Sequence, residues 1–296
     1  MYHVLANTLR GSLSLGLYIL NTVIWCIPLF ILAAAKAAVP AEFWQRSCSR
    51  LLNGIAENWI WVNNQNQKLL GNTQWDVQGP ANFKRSEWYL VLANHQSWVD
   101  IRVLQRIFHR RIPLLKFFIK KELIWMPLLG QAWWALDFPF VKRYTQRYLQ
   151  KKPHLKGKDL AITREACKKF QKIPISIMNF VEGTRFSTAK HLNQESPYAH
   201  LLRPKAGGIA FVLDSMGRQI YRVLDVTIVY PEGVSSFWAF LSGKIRKISV
   251  QVRSLPVSPE LLGDYANDER FRAGLQRWLN NLWQEKNRSI NEVLTS

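Results

Sequence analysis

Cysteine is scarce in this chain of 296 residues: there are three, Cys26, Cys48 and Cys167, far apart and with no CxxC spacing. That excludes a disulfide framework and a zinc knuckle, and it fits a reducing compartment. Acidic residues are also few, 20 Asp and Glu against 40 Lys and Arg, for a formal net charge of +20. A chain so short of acid attracts polyanions of every kind. Charge therefore leaves nucleic acid, an anionic bilayer and a phosphorylated small substrate all open. No G-x-S-x-G elbow occurs, which argues against an acyl-enzyme hydrolase. No HExxH or cluster of histidines and carboxylates completes a metal site, so no metal is expected. Internal repeats and low-complexity tracts are absent too, and the 48% hydrophobic content excludes a disordered chain.

What the chain does have is a long uncharged run. From Gly11 to Ala35 there is no charged residue for 25 positions. At ~1.5 Å per residue that is long enough to cross a hydrocarbon core of ~30 Å. Pro28 interrupts it, and AEFWQRSCSRLLNGIAENWIWV after it reads as a second, amphipathic helix with interfacial tryptophans. A full crossing and a hairpin dipping into one leaflet both fit. Arg10 lies on one side of the run and Lys36, Arg46 and Arg50 on the other, a bias that puts the C-terminal body on the cytoplasmic side.

Beyond Asn63, short apolar runs alternate with helical stretches. Strands are expected at 73–79, 87–93, 112–118, 175–181, 221–230 and 247–252, and helices at about 97–108, 125–134, 158–170 and 268–287. The alternation predicts an α/β fold, a largely parallel central sheet flanked by helices and preceded by an N-terminal hydrophobic helix or helical hairpin. The division is a membrane-embedded segment, 1–65, and an α/β domain, 66–296. In the C-terminal helix, Phe271, Leu275, Trp278, Leu279 and Leu282 recur at helical spacing, as core packing requires.

Two strand ends carry chemistry. WYLVLA runs into Asn94-His95-Gln96-Ser97-Trp98-Val99-Asp100, and ISIMNFV into Glu182-Gly183-Thr184-Arg185. Loops beyond the C-terminal ends of strands are where α/β sheets collect functional groups. Each stretch also has a structural reading. Ser97 to Asp100 is an S-x-x-D capping box with Ser97 as N-cap, and EGTR alone is a polar turn. Between them, Lys142 and Arg143 follow LDFPFV.

Taken together, NHQSWVD and FVEGTR resemble the NHxxxxD and EGTR motifs of the glycerophospholipid acyltransferase family, in the right order. FPFVKR resembles the family's basic block, which places its arginine at Arg143, although the glycine that often precedes it is not clearly matched. LDVTIVYP at 224–231 resembles the last block. The likeness covers about Trp88 to Pro231 and points to the lysophosphatidate and lysocardiolipin branch, including bacterial inner-membrane members.

The resemblance implies transfer of an acyl group from a thioester donor, acyl-CoA or acyl-carrier protein, to the free hydroxyl of a lysophospholipid, lysophosphatidate first. His95 would be the general base and Asp100 its orienting partner. On one continuous helix, positions five apart lie about 140° apart, so the motif needs His95 in the loop and Asp100 in the first turn. Amides near Gly183 are candidate oxyanion donors. Arg143 and Arg185 would hold the acceptor phosphate, Glu182 would bind acceptor hydroxyls or organise the arginines, and Thr184 would support the turn. No cofactor beyond the donor is implied.

The expected location is the bacterial inner membrane, with an anionic lipid surface as partner. From Ile101 to Lys158, 14 Lys and Arg stand against Glu122 and Asp137 among tryptophans that suit either that surface or a core. Two rivals differ in class. A membrane-tethered nucleic-acid module would use the basic residues and tryptophans on phosphates and bases without needing His95. No nucleic acid is expected, because that reading leaves the pairing of the two motifs unexplained. A noncatalytic lipid-binding scaffold would keep the arginines and lose turnover, and the intact His95 and Asp100 argue against it.

Overall fold

The computed structural model describes residues 2–141, 167, 170–234 and 236–295. Two long helices lead: α1 (Tyr2–Ala38) and α2 (Glu42–Leu70). They run antiparallel, and the few polar residues of α1 explain how. Ser14 meets Asn66, Asn21 donates to the Trp59 carbonyl and to Asn63, each at 3.0 Å, and Trp59 donates to Thr22. Polar groups inside an apolar helix need partners, and here they set the register against α2. Pro28 lies within α1 without ending it.

A six-stranded sheet follows, formed by β1 (Gln74–Gln78), β2 (Trp88–Ala93), β3 (Leu115–Phe117), β6 (Ser176–Phe180), β7 (Ile220–Val229) and β8 (Lys247–Pro256), in the order β1-β8-β7-β2-β6-β3. Each neighbouring pair is parallel except β7 and β8. A separate two-stranded parallel pair joins β4 (Ile119–Lys120) to β5 (Phe140–Val141). Among the described residues, the α-helices of the body are α3 (Val99–Phe108), α4 (Leu129–Ala135), α5 (Thr188–Asn193), α6 (Gly207–Met216), α7 (Phe237–Leu241) and α8 (Glu269–Thr295). The mostly parallel sheet flanked by helices is the one the alternating pattern predicts.

Both faces of the sheet are covered, so its central strands read as unbroken apolar runs. Along β2, Leu90 and Leu92 join the core under α6 and α8, while Tyr89, Val91 and Ala93 join the core under α3 and α7. A third cluster seats α4 against α1 and α2.

The expected strand at 112–118 is shorter, because Leu115–Phe117 alone pairs with β6 and Ile119–Lys120 turns away to β5. The expected helix at 125–134 is a 3₁₀ turn, Lys121–Trp125, followed by α4. The helix expected at 158–170 lies outside the described residues apart from Cys167 and Phe170, both buried in the core.

Candidate active site

β2 ends at Ala93, and Asn94 fixes what comes next. Its side chain donates to the Ile228 carbonyl (2.9 Å) and accepts from the Ile228 amide (2.8 Å), tying the end of β2 to β7. His95 therefore leaves the sheet at a set angle, and its ring stacks flat on Phe180 at the end of β6, with centroids 3.8 Å apart. Its carbonyl accepts from Phe186 (2.7 Å) and its amide donates to Glu182 (3.1 Å). Both backbone groups of the histidine are held from the second motif and the residue after it.

Asp100, in the first turn of α3, is fully buried. Its Oδ2 lies 2.9 Å from His95 Nδ1 and accepts the Gln96 amide at 2.7 Å and the Ser97 amide at 2.8 Å. Its Oδ1 accepts from the Tyr230 hydroxyl at 2.6 Å. Four donors on one carboxylate compensate its burial and fix its orientation. An acceptor at Nδ1 favours the tautomer with the proton there and the lone pair on Nε2. Burial, with Asp100 alongside, holds the Tyr230 phenol well above its usual range, so it stays a donor.

The capping box is half realised. Asp100 does reach back to the Ser97 amide, but the N-cap of α3 is Trp98, without a side-chain cap, and Ser97 Oγ accepts from Val99 instead. The helix starts one residue later because the Asp100 carboxylate gathers the loop amides before it.

Glu182 is placed differently from the expectation that it meets acceptor hydroxyls or the arginines. Its carboxylate is buried and takes the amides of His95 and Leu202, each at 3.1 Å. Burial pushes its pKa up to about 8 against those two hydrogen bonds, with Asp100 adding to the rise and Lys286 opposing it. Gly183 turns the chain at φ 72, and its amide donates to the Phe180 carbonyl (2.9 Å), so that N–H is spent on the turn rather than aimed at a substrate.

Thr184 accepts from Lys190 at 2.8 Å, and Lys190 also donates to the Arg185 carbonyl, which stiffens the turn. The Arg185 guanidinium lies over the Trp98 ring at 3.8 Å, within contact range of the His95 loop. Arg143 lies outside the described residues.

Sequence reading missed Asn94, Phe180 and Tyr230 as parts of this arrangement, although each stands inside a quoted motif. It also missed a buried charge cluster. Asp225 on β7 meets Lys286 of α8 at 2.7 Å and Arg253 of β8 at 2.6 Å, and Arg253 also pairs with Glu285.

A family model described as Acyltransferase matches residues 74–231, more than half of the chain. The chain belongs to the acyltransferase family. It is 28% identical over 190 residues to the Homo sapiens 1-acyl-sn-glycerol-3-phosphate acyltransferase gamma, covering 60% of this chain and 45% of that one. It is 24% identical over 222 residues to the Danio rerio lysocardiolipin acyltransferase 1, covering 70% and 53%. The chain thus spans about half the length of the curated relatives it matches. The solved structure of the Thermotoga maritima 1-acyl-sn-glycerophosphate acyltransferase, PlsC, shares the fold over 97% of both chains, at a TM-score of 0.51 and 15% identity. The matched stretch of this acyltransferase contains both strand-end motifs and Tyr230.

Proposed function

We propose that this acyltransferase moves a fatty acyl group from a thioester donor, acyl-CoA or acyl-carrier protein, to the free hydroxyl of lysophosphatidate or a close lysophospholipid. The observation that carries the reading is the His95 ring, clamped between Phe180 and the four-donor carboxylate of Asp100. In the step, the acceptor hydroxyl attacks the thioester carbonyl while His95 Nε2 takes its proton. A C–O bond forms, the C–S bond breaks, and the proton passes to the leaving thiolate. Asp100 stabilises the imidazolium. Arg185, backed by Trp98, supplies a planar donor for the acceptor phosphate, with Arg143 as its partner. Glu182, Gly183 and Thr184 act at one remove, by holding the His95 backbone and the turn that carries Arg185. A set of relatives named as 1-acylglycerol-3-phosphate and lysocardiolipin acyltransferases supports this substrate class.

The location proposed is the inner membrane of a bacterium, with the body on the cytoplasmic face. α1 is long and apolar enough to cross a bilayer. One face of it, however, is occupied along its length. Gly11 abuts Trp238 and Ser242, the Tyr18 ring meets Phe237, and Lys36 pairs with Asp137 at 2.5 Å. A helix gripped by the same body at both ends fits one that lies in a single leaflet, with Leu13, Ile24, Ile27 and Ile31 facing lipid.

The deciding experiment is acyl transfer from acyl-CoA to lysophosphatidate by membranes that contain the protein, beside His95→Ala at matched abundance. The expected result is product from the parent and a loss of ~10²-fold or more in the variant. Equal rates would remove His95 from the chemistry, and silence of both across several donors and lysolipids would leave a lipid-binding scaffold.

A further inference from the structure

The 3₁₀ turn Lys121–Trp125 and α4 form a knuckle that the His95 site does not use. One side is seated: Leu123 and Trp133 pack with Phe30, Leu32 and Ala33 of α1 in one cluster. The other side is bare. Trp125 is 83% exposed and Trp134 62%, with Met126 and Leu128 also exposed between them. Soluble surfaces scatter single apolar residues, but they rarely group two tryptophans with two long aliphatic side chains.

The backbone at the tip is strained. Leu128 sits at φ 62, ψ −53, and the Leu129 amide donates to the Pro127 carbonyl at 2.7 Å, closing a γ-turn of positive φ. A residue with a side chain adopts that turn only where its surroundings impose it. Here the chain is wedged, because a Cβ on Gly130 would stand 2.2 Å from the Ile124 carbonyl. The strain holds Leu128 outward, where water offers it nothing.

We propose that this knuckle is a second contact with the bilayer. Trp125 and Trp134 sit at headgroup depth, Met126 and Leu128 reach the acyl-chain boundary, and exposed Lys120 and Lys121 meet anionic headgroups. The inference deepens the reading of α1 as a helix in one leaflet. The charge beside the apolar tip, two lysines to Glu122, and the seating of the knuckle on the stretch of α1 that exposes Ile27 and Ile31 both single out a lipid surface. A lone helix in a leaflet leaves the body free to roll about its axis; a second contact removes that freedom.

A spin label tests this without reference to activity. The native cysteines Cys26, Cys48 and Cys167 are buried, so a label directs itself to an added exposed one. Three single variants are compared: Met126→Cys on the knuckle, Ile27→Cys on α1, and Arg218→Cys on the rim of a cavity that contains no residue of the His95 site. The full chain is placed in phosphatidylethanolamine vesicles with about a quarter phosphatidylglycerol, an anionic surface that attracts basic residues.

The expected result is that labels at 27 and 126 are both relaxed by oxygen and shielded from a water-soluble nickel chelate, while the label at 218 shows the reverse. In vesicles without phosphatidylglycerol, the label at 126 becomes several-fold more open to nickel. Lipid exposure at 27 with water exposure at 126 overturns the second contact, leaves α1 in its leaflet, and gives the face to a protein partner. Water exposure at both positions removes the membrane reading and this inference with it.

Discussion

At the scale of single residues, the candidate site is a chain of constraints that ends on one nitrogen. Tyr230 cannot reach a substrate through Asp100, yet its 2.6 Å hydrogen bond selects the carboxylate rotamer that presents Oδ2 to His95. Tyr230→Phe is expected to lower kcat about tenfold with KM unchanged, and stability by about 1 kcal/mol, the typical worth of a buried hydrogen bond. In an Asp100→Asn background the same change should leave kcat where it is, because the two residues act as one unit. An equal further loss in that background would mean that Tyr230 acts elsewhere.

Glu182 makes a prediction of a different kind. Its folded pKa, about 8, lies above the ordinary 4.5, so the native state binds more protons than the unfolded state between those values. Its contribution to stability is therefore complete below about pH 4.5 and is lost as the pH rises through 8. The slope is at most roughly 1.4 kcal/mol per unit. Thermal unfolding in detergent micelles should show a midpoint that falls from pH 5 to 8. Glu182→Gln should flatten that fall while weakening the clamp on His95 or Leu202, since an amide NH₂ cannot accept from a backbone N–H. A parent protein with a flat profile would show that Glu182 is ionised throughout.

At the scale of elements, legibility followed burial. The strands β2, β6 and β7 were readable within a residue or two, because a strand covered on both faces is a short apolar run with nothing to confuse it, whereas β1, QWDVQ, is a largely exposed edge strand to which that reason does not apply. α6 was not readable: GGIAFVLDSM opens on two glycines and is apolar almost all round, so it shows no helical period. α7, five residues long, is too short to show one. Of the site, the residues that carry charge and chemistry stood out, while those that hold them did not. Tyr230 looked like the last residue of an apolar strand, and Glu182, picked out with EGTR, was expected to meet acceptor hydroxyls or the arginines rather than the two backbone amides it holds. Whether a side chain is exposed or sealed depends on contacts such as Leu202 to Glu182, 20 residues apart.

Lys286 is the sharpest case, since QEKN in an amphipathic helix reads as a solvated face, yet its ammonium is fully buried. It donates to the Val226 carbonyl at 2.6 Å and pairs with Asp225. Burial lowers its pKa and Asp225 works against that. This pair fastens α8 to the middle of β7, the strand that leads to Tyr230. Lys286→Met should destabilise the fold by about 3 kcal/mol, because Asp225 is left buried with Arg253 as its remaining partner. Adding Asp225→Asn should restore part of that, and a double variant as unstable as the sum of the two would show that they act independently.

At the scale of the whole molecule, the proposed location raises the question of how the α/β body and an apolar helix of 37 residues would share one bilayer. Gly11 and Lys36 are about 37 Å apart along α1, more than the thickness of a hydrocarbon core. Both are held by the same body, Gly11 at α7 and Lys36 beside α4. If α1 crossed the membrane, one of those contacts would have to lie on the far side and the body would have to come apart. On the proposed membrane reading, the packed helix lies along the body and its two ends are expected to face the same compartment. Thr8→Cys and Ala37→Cys, both at exposed positions, report on this directly. A membrane-impermeant maleimide should label both from the side that labels Arg218→Cys, in spheroplasts or in inverted vesicles but not in each. Labelling of 8 and 37 from opposite sides would mean that α1 leaves the body to span the bilayer, and that the grip of α7 on Gly11 does not survive in lipid.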